Sequence, residues 1–206
     1  VSTLAQYMVS NYLFILKLSG QFHLVVGILL LFGFNLPRIM ERFLLATGFT
    51  DYWRRVNVYW KDFVQKVFYY PAYFKMRTVS ATPKLLIATG FGFLVTWFFH
   101  GYQWFWIRGE FPFSVPDTVF WTSLAVLVAA NSLWEAKHGR KRSLGTQTIG
   151  MGEIASKTLR ATGIFVVMTI LWSIWISPSL GIWYQMVTSV PFAFFELVRL
   201  LLLLAG

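Results

Sequence analysis

The stretch LLIATGFGFLVTWFFHGYQWFW, Leu85 to Trp106, runs 22 residues without a lysine, arginine, aspartate or glutamate. As a helix it is about 33 Å long, against about 30 Å of bilayer hydrocarbon. A single apolar stripe would mark a helix lying on a water-soluble core. Here the apolar residues cover every side, so lipid is the solvent that satisfies them.

The same reading extends outward in both directions. Leu4 to Leu36 is a first apolar region, interrupted by Lys17, Ser19, Gly20, Gln21 and His23. A straight helix over it would be about 50 Å long, which predicts a break near Gly20. Val119 to Trp134, Leu159 to Ile176 and Ile182 to Ala205 follow, with Pro178 and Gly181 marking the turn between the last two. The whole chain has 206 residues and is 57% hydrophobic but only 13% charged. A soluble domain averages about 25% charged residues. The sequence therefore predicts an all-α, polytopic integral membrane protein, with about five to six hydrophobic spans. It reads as a single membrane domain, residues 1–206. Its first apolar stretch lacks the basic start and small-residue cleavage site of a signal peptide.

Charge is confined to the connections. Residues 38–84 hold nine Lys/Arg against three acids and residues 135–160 six against two, while residues 108–117 hold one against two. The positive-inside bias places the two basic connections in the cytoplasm and the others on the far side. The net charge of +10 is thus explained by lipid headgroups and topology, not by nucleic acid. Lys137-His-Gly-Arg-Lys-Arg142 reads as a topology determinant. With no cysteine, disulfides, thiolate metal sites and cysteine nucleophiles are excluded.

One cytoplasmic connection carries a pattern of its own. Between Phe49 and Tyr70, residues Trp53, Asn57, Trp60, Val64 and Phe68 recur at three- and four-residue steps. They share one face of an amphipathic helix, interfacial or re-entrant. Thr50 or Asp51 is placed to cap it and Pro71 to stop it.

Polar residues inside apolar spans mark functional sites. His100 lies in one, and a neutral imidazole there accepts a proton from a hydroxyl as a general base; the alternative is a hydrogen-bonded histidine that fixes helix packing. Asn57 lies among tryptophans and either orients an imidazole or polarises a carbonyl, or else satisfies a helix terminus. Gln21 and His23 either line a cavity or hold helices together; two residues apart, they point in different directions. There is no glycine-rich phosphate loop, nucleophile elbow, two-histidine zinc motif or pair of carboxylates, so no metal is expected.

The ordered series Ser19-Gly-Gln-Phe-His-Leu-Val-Val-Gly27, Leu31-Phe-Gly-Phe-Asn-Leu-Pro37, Phe49-Thr-Asp-Tyr-Trp-Arg-Arg-Val-Asn-Val-Tyr-Trp-Lys-Asp-Phe63, Tyr70-Pro71 and Trp97-Phe-Phe-His-Gly101 resembles the membrane-bound O-acyltransferase superfamily. It is most similar to the bacterial branch of the alginate acetylation and teichoic-acid D-alanyl transfer proteins. The resemblance covers about the first 110 residues, making 1–110 the core with the active site and 111–206 a set of carboxy-terminal transmembrane helices. It implies that His100 is the superfamily's catalytic histidine and Asn57 its second polar position, meeting in a tunnel across the membrane. Gln21, His23, Trp60, Trp97 and Gln103 would then contact substrate. The Gln21-Phe22-His23 triplet replaces the tyrosine, serine and aspartate usual in the alginate branch, and Phe99 a common tryptophan. Superfamily members are about twice this length, so the chain is expected to be the carboxy-terminal half of a longer one.

The implied activity is transfer of an acyl group from a thioester, as acyl-coenzyme A or an acyl carrier protein, to a hydroxyl of an envelope glycan, lipid or small alcohol. No resident cofactor is implied. The lipid bilayer, an acyl carrier protein and other envelope proteins are the expected partners, and the bacterial cytoplasmic membrane the expected location. The alternative is a non-catalytic membrane subunit of a larger complex, with His23 or His100 contacting haem or a pigment.

Overall fold

The computed structural model describes residues 2–109, 113–139 and 150–188. These form helices α1 Ser2–Leu31, α2 Phe49–Arg55, α3 Val58–Val64, α4 Tyr70–Lys75, α5 Ala81–Arg108, α6 Val115–His138, α7 Met151–Trp175 and α8 Leu180–Thr188, with no strand among the described residues. Four stretches are long and apolar enough to cross a bilayer: Gln6–Leu31, Ala81–Ile107, Val115–His138 and Met151–Trp175. Of the fifth expected span only α8 falls among the described residues; 189–206 lie outside them, as do Arg140, Lys141 and Arg142.

The spans do not hide their apolar surface inside the protein. Leu24, Leu31 and Phe32 on and just after α1, Ile87 and Leu94 on α5, and Val126 on α6 are all exposed. In water such a surface drives aggregation. In lipid, with backbone groups satisfied within each helix, it is the stable arrangement.

Four sequence expectations are corrected. The first helix is not broken at Gly20; α1 is continuous from Ser2 to Leu31. A glycine weakens a helix by about 1 kcal/mol, whereas breaking one inside hydrocarbon strands backbone groups at several kcal/mol each. The amphipathic segment, conversely, is not one helix. It divides between α2 and α3 at Val56 and Asn57, and Asn57 adopts a left-handed conformation, φ 45° and ψ 68°. The freed backbone groups are taken up by the preceding segment: Glu41 N–H donates to the Arg55 carbonyl at 3.0 Å and Val58 N–H to the Ile39 carbonyl at 2.8 Å. Nor does Thr50 or Asp51 cap α2. The helix starts after Gly48, and Asn131 of α6 accepts from Thr50 N–H at 3.1 Å.

Pro71 does not end the segment either. It sits in the first turn of α4, after a π-helical turn at Gln65–Tyr69. The wider π turn accommodates a ring that has no N–H to offer.

The face expected of this segment survives its break. Trp53 packs on Phe93 with ring centroids 4.6 Å apart, Val64 abuts Gly92, and Phe68 meets Phe91 and Phe99. All these partners lie on α5. While α2 as a whole packs on α6, Trp53, α3 and the π turn line one side of α5. Its other side packs on α6, which packs in turn on α7, and α1 lies on α7.

Candidate functional site at the imidazole of His100

His100 lies in the second half of α5, where that helix meets the start of α6 and the end of α7. Its ring is walled by Trp104, Trp121 and Trp175 at centroid distances of 6.2, 5.3 and 5.0 Å. Trp175 in turn stacks on Phe120 at 4.5 Å and 11°. Gly101 is required for this packing, because a Cβ there would come within 2.6 Å of the Phe113 ring.

Among the described residues, two polar atoms of this aromatic box are buried without a hydrogen-bond partner: His100 Nδ1 and Trp121 Nε1. Buried polar groups are almost always paired. Here an imidazole nitrogen and an indole N–H, on rings whose centroids are 5.3 Å apart, both lack a partner among the described residues.

A carboxylate stands behind the box. Asp117, 5% exposed, accepts from Trp97 Nε1 on Oδ2 at 2.5 Å and from Trp175 Nε1 on Oδ1 at 2.7 Å. Its position in the first turn of α6 follows from local sequence. Ser114 is the N-cap, its Oγ accepting from Asp117 N–H at 3.3 Å, and Pro116 fits the first turn, where no N–H is needed. A helix N-terminus favours a carboxylate, and hydrogen bonds to a charged acceptor contribute about 1.5–3 kcal/mol each. Trp175 therefore touches the imidazole with its ring and the carboxylate with its N–H.

Asn57 reaches this region indirectly. Its Oδ1 accepts from Trp60 N–H at 3.2 Å, capping α3. Trp60 Nε1 then donates to Thr96 Oγ1 at 3.3 Å, and Thr96 donates to the Gly92 carbonyl. Thr96 lies one turn before His100 on the same face of α5. Among the described residues no hydrogen bond joins Asn57 to His100 directly.

The remaining candidates separate. Trp60 and Trp97 adjoin the site through Thr96 and Asp117. Gln103 and Gln21 are exposed. His23 is elsewhere, with Nδ1 2.7 Å from the Ser19 carbonyl, in a cleft between α1 and residues 38–44. Sequence reasoning did not single out Asp117, Trp121 or Trp175. A signal existed for the first: Ser114 and Asp117 have the spacing of an N-cap and the residue three positions on, which draws Asp117 from a loop into a helix.

Comparison with protein-family models, with curated proteins and with solved structures finds no match for the chain.

Proposed function

We propose that the chain carries a membrane-embedded O-acyl transfer site centred on His100. The observation that carries this reading is the pair of unmet buried atoms, His100 Nδ1 and Trp121 Nε1. A hydroxyl placed between the two rings, whose centroids are 5.3 Å apart, would accept from the indole N–H and give its proton to the imidazole. The acyl-transferase resemblance of residues 19–101 adds the second substrate, a thioester.

In the reaction the acceptor O–H gives its proton to His100 as its oxygen attacks the thioester carbonyl carbon. The tetrahedral intermediate collapses, the C–S bond breaks, and the leaving sulfur recovers the proton from the imidazolium. An ester and a thiol result. Asp117, held in place by Trp97 and Trp175, supplies negative charge near the imidazolium formed on the way. Asn57 acts as a positioning residue, capping the helix that sets Trp60 against Thr96. The acyl-transferase resemblance implies a donor from the cytoplasm, an acceptor on an envelope glycan, lipid or small alcohol, and a bacterial cytoplasmic membrane as the location.

The test uses the full-length protein in membranes with radiolabelled acetyl-coenzyme A as the donor probe. Envelope material should gain label that alkaline hydroxylamine releases, as an ester requires. His100→Ala should reduce that label by about 10²–10⁴, the usual contribution of a positioned acid-base group. Undiminished ester formation by a normally inserted His100→Ala protein would refute the assignment and leave the structural-subunit reading.

A further inference from the structure

The cleft between α1 and residues 38–44 holds none of the residues given a step in the reaction just described. It has a volume of about 370 Å³ and is lined in part by Leu16, His23, Arg38, Glu41, Arg42 and Phe43. From these residues we infer that it binds a phosphate ester borne on an apolar tail.

Charge is the first ground. Neither Arg38 nor Arg42 makes a salt bridge among the described residues, although Arg54, Arg55, Lys61 and Lys157 do. Glu41 is the cleft's one acid, so two guanidinium groups leave a net positive lining, and planar guanidinium forks suit phosphate oxygens. Chemistry of the walls is the second ground. Leu16 and Phe43 give the same cleft an apolar side, which a free inorganic anion has no use for and an amphiphile does.

The backbone supplies a third. Arg42 has φ 46° and ψ 42°, and besides Asn57 it is the only non-glycine residue with positive φ among those described. Asparagine tolerates that region, whereas an arginine there costs about 1–2 kcal/mol, and strain of this kind gathers at ligand sites. His23 is also committed. Because a carbonyl only accepts, Nδ1 carries the proton it donates to Ser19 at 2.7 Å. Its Nε2 is left to accept from a ligand hydroxyl.

Two sources present this chemistry: an anionic phospholipid, and a thioester donor with phosphates on its carrier. Binding requires no turnover, so the inference stands or falls separately from the acyl-transfer reading. Full-length protein purified in dodecyl maltoside would be titrated by calorimetry with dihexanoyl phosphatidylglycerol, coenzyme A and phosphate-free dihexanoylglycerol. At least one phosphate probe should bind tenfold or more tighter than dihexanoylglycerol. The phosphatidylglycerol arm identifies a lipid site and the coenzyme A arm a donor site. Arg38→Ala with Arg42→Ala should reduce that binding at least tenfold, while Lys157→Ala with Arg160→Ala, removing equal charge elsewhere, should not. Arg38→Gln alone, an exposed substitution away from the strained backbone, gives the same comparison should the double variant fail to fold. Equal binding of the phosphate and phosphate-free probes, or equal loss in both double variants, would overturn the inference.

Discussion

Asn57 is best tested by two substitutions that separate its side chain from its backbone. Alanine removes the Oδ1 acceptor of Trp60 N–H and also puts a plain Cβ at φ 45°. Loss of an N-cap costs about 0.5–2 kcal/mol, and a Cβ forced into the left-handed region about 1–2 kcal/mol more. The sum is about 1.5–4 kcal/mol. Glycine removes the same acceptor but accepts the conformation freely, and as an N-cap it is only a few tenths of a kcal/mol poorer than asparagine. For a chain of this size about 1 kcal/mol corresponds to about 2–4 °C in Tm. Asn57→Ala should therefore melt about 3–16 °C lower and Asn57→Gly only about 1–2 °C lower, followed by circular dichroism in detergent. Ester formation from acetyl-coenzyme A should follow the same order, with the glycine variant near the parent. Were Asn57→Gly to melt normally yet lose transfer as completely as His100→Ala, the positioning role would be refuted and the amide placed at the reacting atoms.

Other substitutions probe the box itself. Gly101→Ala should destabilise by about 1–3 kcal/mol through overpacking, since its Cβ would lie 2.6 Å from the Phe113 ring, and adding Phe113→Leu should recover much of the lost Tm. Trp175→Phe removes one of the two N–H groups on Asp117; the loss should be about 1.5–3 kcal/mol by chemical denaturation. Adding Asp117→Asn should reduce that penalty, because a neutral amide needs the missing donor less. For topology, single cysteines introduced into this cysteine-free chain at Lys61 and Ser179 should react differently with an impermeant thiol reagent on intact cells, Ser179→Cys labelling and Lys61→Cys remaining protected. Labelling of both from outside would overturn the orientation drawn from the basic connections.

What the sequence revealed and what it hid divide along a physical line. Periodicity reports which residues share a face, and so Trp53, Trp60, Val64 and Phe68 could be assigned together to one surface, which does lie against α5. Periodicity does not report where a helix breaks when distant backbone makes the break tolerable. Arg55 and Val58 find their partners at Glu41 and Ile39, and nothing in the local residues announces it. The same limit applies to the site. His100 stood out because an ionisable residue is costly in an apolar span. Trp121 and Trp175 did not, because the spans are full of aromatics and only packing shows which of them face the imidazole. Asp117 looked like one acid in a short connection, and its role depends on two indoles 20 and 58 residues away.

α5 explains why one span can serve both structure and chemistry. Phe93 and Phe99 take the aromatic face of α2, α3 and the π turn, whereas Trp97 and His100 turn to α6 and α7. Thr96 lies between these two groups, holding the Trp60 indole while its own proton goes back to Gly92. A shift of α3 is therefore felt at Thr96 before it can be felt at His100. An imidazole whose walls are rigid aromatic rings has little room to adjust, so displacement of that turn must be passed to Trp121 and Trp175 or resisted by them. Asn57, at the start of α3, controls the helix from which such a displacement would begin. On this geometry the cap belongs to the site without touching it, and its distance from the imidazole is a reason for its effect to appear in positioning rather than in proton transfer.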